Sequence, residues 1–483
     1  MQSSSVVSTI FPRRVDVDHL SLARDSWFRA NYRACLAALN AFEPADADQR
    51  TEALLLRARA LLRLNDAAAV IPLLREAESW VSGVDAVSTL HMLVGSAVAR
   101  VESEGAGLAI LDEAATFARE HGAHAAVAAE IEHHRALVFW TRRDLDRAES
   151  IARTVARAGA DIISARGYQL CGFVSAARGQ HAEAYHRFLE ALHVLTKCEQ
   201  RDEHLTATLL NQVAIYEAEL RGSIAIPDRR LSSYPVSIPS LEAATVQRTF
   251  AAIYEAYGAL IEDNAEKAFA QATLADALAP TQAYRCRTLA FRARVSRVYE
   301  EMRNAREFIT HAAELAEAFD WDGADDDEAI SLLAVAEELR WYDVPRAQGL
   351  VDRYESIGGK KDALLVRTYD PRYRAIEDLL IGAVRSMGPE RNLDAIARLR
   401  RACSTFRSIG YLTRTAWALI ELHDAYSRSG VSSPHDYFLE SAEQMIQQHF
   451  PRSFLARRIG TWGRGYEDGI GLNRTVGSGN RYG

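Results

Sequence analysis

Lysine is nearly missing: only Lys197, Lys267, Lys360 and Lys361 occur among 57 basic residues in a chain of 483. The remaining basic residues are arginine, a bias expected of a GC-rich bacterial genome. Acidic residues outnumber basic ones and the net charge is −8. That balance argues against non-specific nucleic-acid binding by the chain as a whole. Proline is sparse, at 12 residues, and no run of β-branched residues alternates with period two for more than a few positions, which argues against sheet. No apolar stretch reaches the roughly 18 residues of a membrane-spanning helix. The N-terminal MQSSSVVSTIFPRR lacks the basic start and apolar core of a secretory signal. A cytoplasmic protein with no membrane partner is the expectation. The five cysteines, Cys35, Cys171, Cys198, Cys286 and Cys403, form no CxxC pair and read as reduced, buried small hydrophobes.

Chemical motifs are lacking too. DWDGADDDEA, from Asp320, has Asp325 and Ser331 where a calcium loop needs glycine and glutamate. Its aspartates suit a helix start, where negative charge is favoured. EIEHH (Glu130–His134) spaces a carboxylate and a histidine for zinc, but no third ligand stands at a recognisable spacing. SIGGKKDA (Ser356–Ala363) resembles the end of a phosphate loop, yet Tyr354 replaces the required earlier glycine and a second lysine replaces Ser/Thr. No GxSxG elbow and no Cys–His set appears. No catalytic, cofactor-binding or metal-binding residue is therefore expected, and the chain is read as non-enzymatic.

What the chain does have is a pattern of small and large residues. In GYQLCGFVSAARGQHAEAYHRFLEALHVL (Gly167–Leu195), Tyr168, Gly172 and Ser175 share one helix face, Gly179 breaks the helix, and Ala184, Phe188 and Ala191 share a face of the next. Small residues let two helices approach closely while a phenylalanine fills the space beside them. Equivalent small residues, Ala58, Gly95, Ala136 and Gly172, are spaced by 37, 41 and 36 positions. Two helices per unit at that period mark a helical solenoid.

These residues resemble the tetratricopeptide repeat. Tyr168 stands for its aromatic, Cys171-Gly172 for its Leu-Gly pair, Gly179 for its turn, and Ala184, Phe188 and Ala191 for its second helix. Ser175 and Thr196 depart from the usual aromatic and closing proline, and the units exceed the family's usual length. The resemblance runs from about residue 16 to residue 456. The long units are also similar to the helical sensor region of MalT-type bacterial transcription activators, although neither their ATPase nor their DNA-binding helices are recognisable. The fold class expected is all-α, a right-handed helical-hairpin, TPR-like solenoid.

The expected organisation is a flexible N-terminus (1–15), repeats (16–220), a Pro/Ser-rich segment (221–240) that is either a loop or a hinge, further repeats (241–459), and a Gly-rich disordered tail (460–483). The resemblance implies that first helices line the inner wall, where a protein or peptide partner would lie. Candidate partner-binding residues on that wall are Arg59, Arg63, Arg100, His133, Trp140, Gln169, Phe173 and Asn211. Arginine suits acidic groups and Trp140 suits a hot spot. A scaffold or adaptor is the leading functional expectation, with a detached sensor subunit of a transcription regulator as the second and an enzyme built on a helical array as the third.

Overall fold

The computed structural model describes residues 18–159, 161–198, 202–222, 242–321, 326–358, 370–388, 392–429 and 436–462. The expected N-terminal segment, nearly all of the Pro/Ser-rich segment, the Asp325 cap, the Gly359–Ala363 part of SIGGKKDA and the tail beyond Trp462 lie outside the described residues.

The described residues divide into two compact units, the first running to Val138 with 199–204, the second comprising 139–198 and everything from Leu205. The first holds α1 (His19–Phe28), α2 (Tyr32–Asn40), α3 (Ala47–Arg63), α4 (Ala67–Ala77), α5 (Val84–Val101), α6 (Glu104–His121) and most of α7 (Ala125–Thr141). The second holds the end of α7, then α8 (Leu145–Arg157), α9 (Ile162–Ala177), α10 (His181–Leu195), nearly all of α11 (Glu203–Glu219), α12 (Glu242–Ile261) and α13 (Ala265–Leu278). It continues with α14 (Gln282–Val298), α15 (Met302–Ala318), α16 (Asp326–Leu339), α17 (Val344–Gly358), α18 (Pro371–Arg385), α19 (Asn392–Ser408), α20 (Leu412–Ser429), α21 (Asp436–His449) and α22 (Phe454–Trp462). No strand occurs among the described residues. Consecutive helices pack as pairs, and within each unit a second helix also packs on the first helix of the next pair. The all-α, helical-hairpin, TPR-like class expected from the sequence is what forms.

One device makes most of the hairpins. A residue in the left-handed region ends the first helix, and the next residue opens the second. Asn65 (φ 63°), Arg143 (φ 62°), Gly179 (φ 74°) and Asp263 (φ 57°) are such terminators. Asp66, Asp144 and Asn264 then accept the backbone N–H of Ala69, Arg147 and Lys267, satisfying donors a helix start leaves free. Gly179 has no Cβ penalty there; Arg143 and Glu300 (φ 65°) each accept roughly 1–2 kcal/mol of it.

The small–large pattern has a direct cause. A Cβ on Gly172 would lie 2.6–2.9 Å from the Phe188 ring, one on Gly95 2.9 Å from Leu111 Cγ, and one on Gly382 2.8 Å from Leu399 Cγ. Each glycine lets its first helix sit directly on a large residue of the second. Phe188, Leu111 and Leu399 are each fully buried as a result. Helix α5 is long and apolar enough by composition to cross a membrane, an exception to the sequence reading, but 56% of it is buried inside the fold, where Met92, Leu93 and Val94 join the core of the first unit. Cys35, Cys171, Cys286 and Cys403 are buried and unpaired, and burial pushes the Cys171 thiol up to about 11.

Candidate functional site

In the second unit the first helices of successive pairs touch one another as well as their own partners: α12 with α14, α14 with α16, α16 with α18 and α18 with α20. Their inner faces form one wall, and that wall encloses a cavity of about 460 Å³. Trp140 enters from the last turn of α7 and Phe173 from α9; Thr208, Asn211, Gln212 and Tyr216 come from α11. Helix α12 supplies Gln247, Phe250, Tyr254 and Tyr257, α14 supplies Arg287, Phe291 and Arg294, and Arg372, Tyr373 and Arg414 complete the wall with Asp370. Eight aromatic rings and four guanidinium groups thus face a space with a single lining carboxylate.

The wall is also where the second unit closes on itself. His181 Nδ1 lies 2.7 Å from the Tyr411 hydroxyl, 230 positions away. The other ring nitrogen of His181 is 3.3 Å from Asp370 Oδ1. Arg414 donates through Nε and Nη2 to the Glu219 carboxylate at 2.7–3.0 Å, across 195 positions. Phe454 of α22 sets its ring edge against Tyr257, with centroids 6.1 Å apart. These contacts join the start of the unit to its end. Burial pushes the Asp370 carboxyl up, but the Arg372 charge and His181 outweigh it, and the group lies below its ordinary pKa.

Behind the wall runs a buried chain of ion pairs. Arg294 pairs with Glu337 and Glu338, and Arg297 grips Glu338 at 2.6 and 2.9 Å. Arg340 donates to both oxygens of Glu421 at 2.6 and 2.9 Å, and Arg458 and Trp417 donate to the same carboxylate. Glu421 is held well below the usual carboxylate range by Arg340 and Arg458, against a burial that pushes it up. Burial brings the Arg294 guanidinium down to about 10.

Some polar atoms of the wall have no hydrogen-bond partner among the described residues: Asn211 Oδ1, Gln247 Oε1, Tyr257 Oη, and Arg372 Nε and Nη1. A buried polar atom left unmade costs about 1–3 kcal/mol. Such atoms are met by ordered water or by a ligand.

The sequence-predicted site residues divide between the units. Trp140, Phe173 and Asn211 line the cavity. Gln169, one helical turn before Phe173, is half-buried and outside the lining. Arg59, Arg63, Arg100 and His133 belong to the first unit. There Arg59 pairs with Glu130 at 2.8 Å, Arg100 donates to the Leu62 carbonyl at 2.8 Å, Arg63 is exposed, and His133 is buried with its ring edge against His134. The sequence reading missed Arg372, Arg414, Asp370 and Tyr257. The available signal was charge inside an apolar helical stripe, as at Arg414 in YLTRTAWAL and Glu421 in AWALIEL.

No family model matches the chain, and no curated protein does. Among solved structures it is similar to the apo form of the quorum sensor NprR from B. thuringiensis, at 12% identity and a TM-score of 0.36 over 89% of this chain and 97% of that one. It is similar also to a Rap protein complexed with Competence and Sporulation Factor, at 12% identity and a TM-score of 0.42 over 86% of this chain and 100% of that one. A third is the APC/C hetero-tetramer Cut9–Hcn1, at 14% identity and a TM-score of 0.28 over 88% and 89%. At such identities and TM-scores these likenesses assign this chain neither a ligand nor a partner.

Proposed function

We propose that the protein is a non-catalytic scaffold that binds a peptide or an extended segment of a protein partner in the cavity of its second unit. One observation carries this reading: the inner faces of successive first helices converge on about 460 Å³ lined by aromatic rings and by unpartnered amide, hydroxyl and guanidinium atoms. Ligand sites of about 300–1,000 Å³ combine apolar lining with a few placed polar groups in this way. Asn211 and Gln247 carry amide groups that both donate and accept, which suits the backbone of an extended chain.

A sensor reading has its own support. Asp370, Arg372 and Arg414 line the cavity and also make the contacts that close the unit. An occupant that favours the closed arrangement would shift the unit toward it, and a second protein could read that shift. The similarity to MalT-type sensor regions belongs to this proposal.

The test is equilibrium dialysis of the full chain against a degenerate tetrapeptide library, comparing wild type with Trp140→Ala/Asn211→Ala. Retention that falls at least tenfold in the double variant is expected. No retention by wild type, or equal retention by the variant, would overturn the reading.

A further inference from the structure

The cavity wall is uneven in how its charges are satisfied. Arg414 has the whole Glu219 carboxylate to itself. Arg372 does not have such a partner. It is 3% exposed, and its Nη2 reaches Asp370 Oδ2 at 3.0 Å while His181 approaches the other oxygen of that carboxylate. Its Nε and Nη1 have no hydrogen-bond partner among the described residues. The guanidinium is set over the rings of Tyr216 and Tyr373, at 5.3 and 4.6 Å from their centroids, so it is held against the wall by cation–π contacts. Buried donors of a cation, fixed in place and unmet, are a site for an anion.

The apolar part of the wall gives the rest of the ligand. From Arg372 the lining continues through Tyr216 to Phe173 and Trp140, the last two with centroids 6.0 Å apart, and Phe188, fully buried behind the lining, sits between Tyr216 at 5.7 Å and Phe173 at 5.3 Å. Tyr257 Oη and Asn211 Oδ1, 2% and 8% exposed as residues, are further atoms of the wall without a hydrogen-bond partner among the described residues, as is Gln247 Oε1.

We infer that Arg372 anchors a carboxylate of the ligand, and that the cavity takes molecules joining one such carboxylate to an aromatic or branched aliphatic group. This rests on the cavity being the binding site. Nε and Nη1 leave on different edges of the guanidinium, so the carboxylate takes one edge and a second acceptor of the ligand, such as a neighbouring carbonyl, takes the other. Asn211 and Tyr257 accept from the ligand's amide N–H groups. The carboxylate can come from a peptide or from a small organic acid, and the experiment separates the two.

The full chain is dialysed at neutral pH against two N-acetylated tetrapeptide libraries without Asp or Glu, one ending in a free carboxylate and the other in an amide. 3-Phenylpropanoic acid and its amide are run beside them. The acid library is expected to be retained at least tenfold better than the amide library. Asp370→Asn/Arg372→Gln, which removes both charges of the pair, is expected to abolish that preference, so that acid and amide libraries are retained alike; circular dichroism checks its fold. Equal retention of acid and amide by wild type overturns the anchor and leaves the cavity reading standing, with no variant needed. Preference that persists in the folded double variant overturns the assignment to Arg372. Retention of phenylpropanoic acid alone supports the anchor and overturns the peptide reading. Retention of nothing overturns both.

Discussion

The two units are built by one packing rule, yet they differ in what they bury. Among the described residues, the buried polar ones of the first unit are Ser26, Ser88, Thr89, Ser96 and His133, around a core of leucine, isoleucine, valine, alanine and methionine. In the second unit Glu219, Glu337, Glu338, Arg340, Asp370, Arg372, Arg385, Arg414 and Glu421 are buried as well. Stacking hairpins needs only small against large residues along the chain. Closing an array so that segments about 200 positions apart meet needs a further means of choosing the register, and directional ion pairs supply it. Buried pairs are poor sources of net stability, but misplacing one is costly. The cavity lies where that closure is made.

The largest effect expected follows from this contrast. Glu421→Leu leaves Arg340 and Arg458 facing an apolar side chain, and removing one partner of a buried pair costs about 3–5 kcal/mol. Urea unfolding monitored by hydrogen exchange would place the loss in the second unit. A loss below about 1 kcal/mol would mean that the buried charges are not what distinguishes the units.

Glycine substitutions should show what the units share. Gly172→Ala drives a methyl into the Phe188 ring, and Gly95→Ala drives one against Leu111. Overpacking of this kind costs about 1–3 kcal/mol. Similar losses in both variants, with partial rescue of Gly172→Ala by Phe188→Leu, would confirm a common rule. A neutral Gly95→Ala would break it.

Acid should separate the units by a smaller margin. Asp370 and Glu421 are held below their ordinary values of 3.8 and 4.5. Their contribution is therefore complete above those values and is lost as pH falls through them toward the folded ones. Glu217 and Glu255 act oppositely, because burial raises both. Their contribution is present at low pH and is lost as pH rises through their folded values. The paired acids are more deeply buried in ion pairs, so exchange protection in the second unit should fall before that of the first on acidification below their ordinary values of 4.5 and 3.8. Simultaneous loss would show that the offset is complete.

Much of this was legible in the sequence, for a physical reason. The hairpins rest on contacts between residues 15 to 20 positions apart, so Gly172 with Phe188 and Gly95 with Leu111 leave a periodic trace. The Asn65-Asp66 and Arg143-Asp144 turns are local as well. That Trp140, Phe173 and Asn211 face the cavity was legible because position on the first helix decides what faces inward. Glu219 with Arg414, and His181 with Tyr411 and Asp370, are separated by about 190 to 230 positions, and no local pattern links them. Candidate residues such as Arg59 and His133 were placed on the same inner wall because equivalent units were expected throughout; the cavity is lined by residues of the second unit.

Arg59→Ala is the smallest expected effect and tests that confinement. Its partner Glu130 stands at 2.8 Å, and the two side chains are 32% and 15% exposed. A part-buried pair still in reach of solvent contributes about 1 kcal/mol and weakens with salt. The variant should therefore unfold nearly as wild type does in about 0.5 M salt, and it should retain the tetrapeptide library undiminished. Trp140→Ala, in the cavity, should lose retention with little change in stability, because it removes contact area from a wall rather than from a core. A tenfold loss of retention in Arg59→Ala would bring the first unit into binding, and the two units would then differ in what they bury but not in what they do.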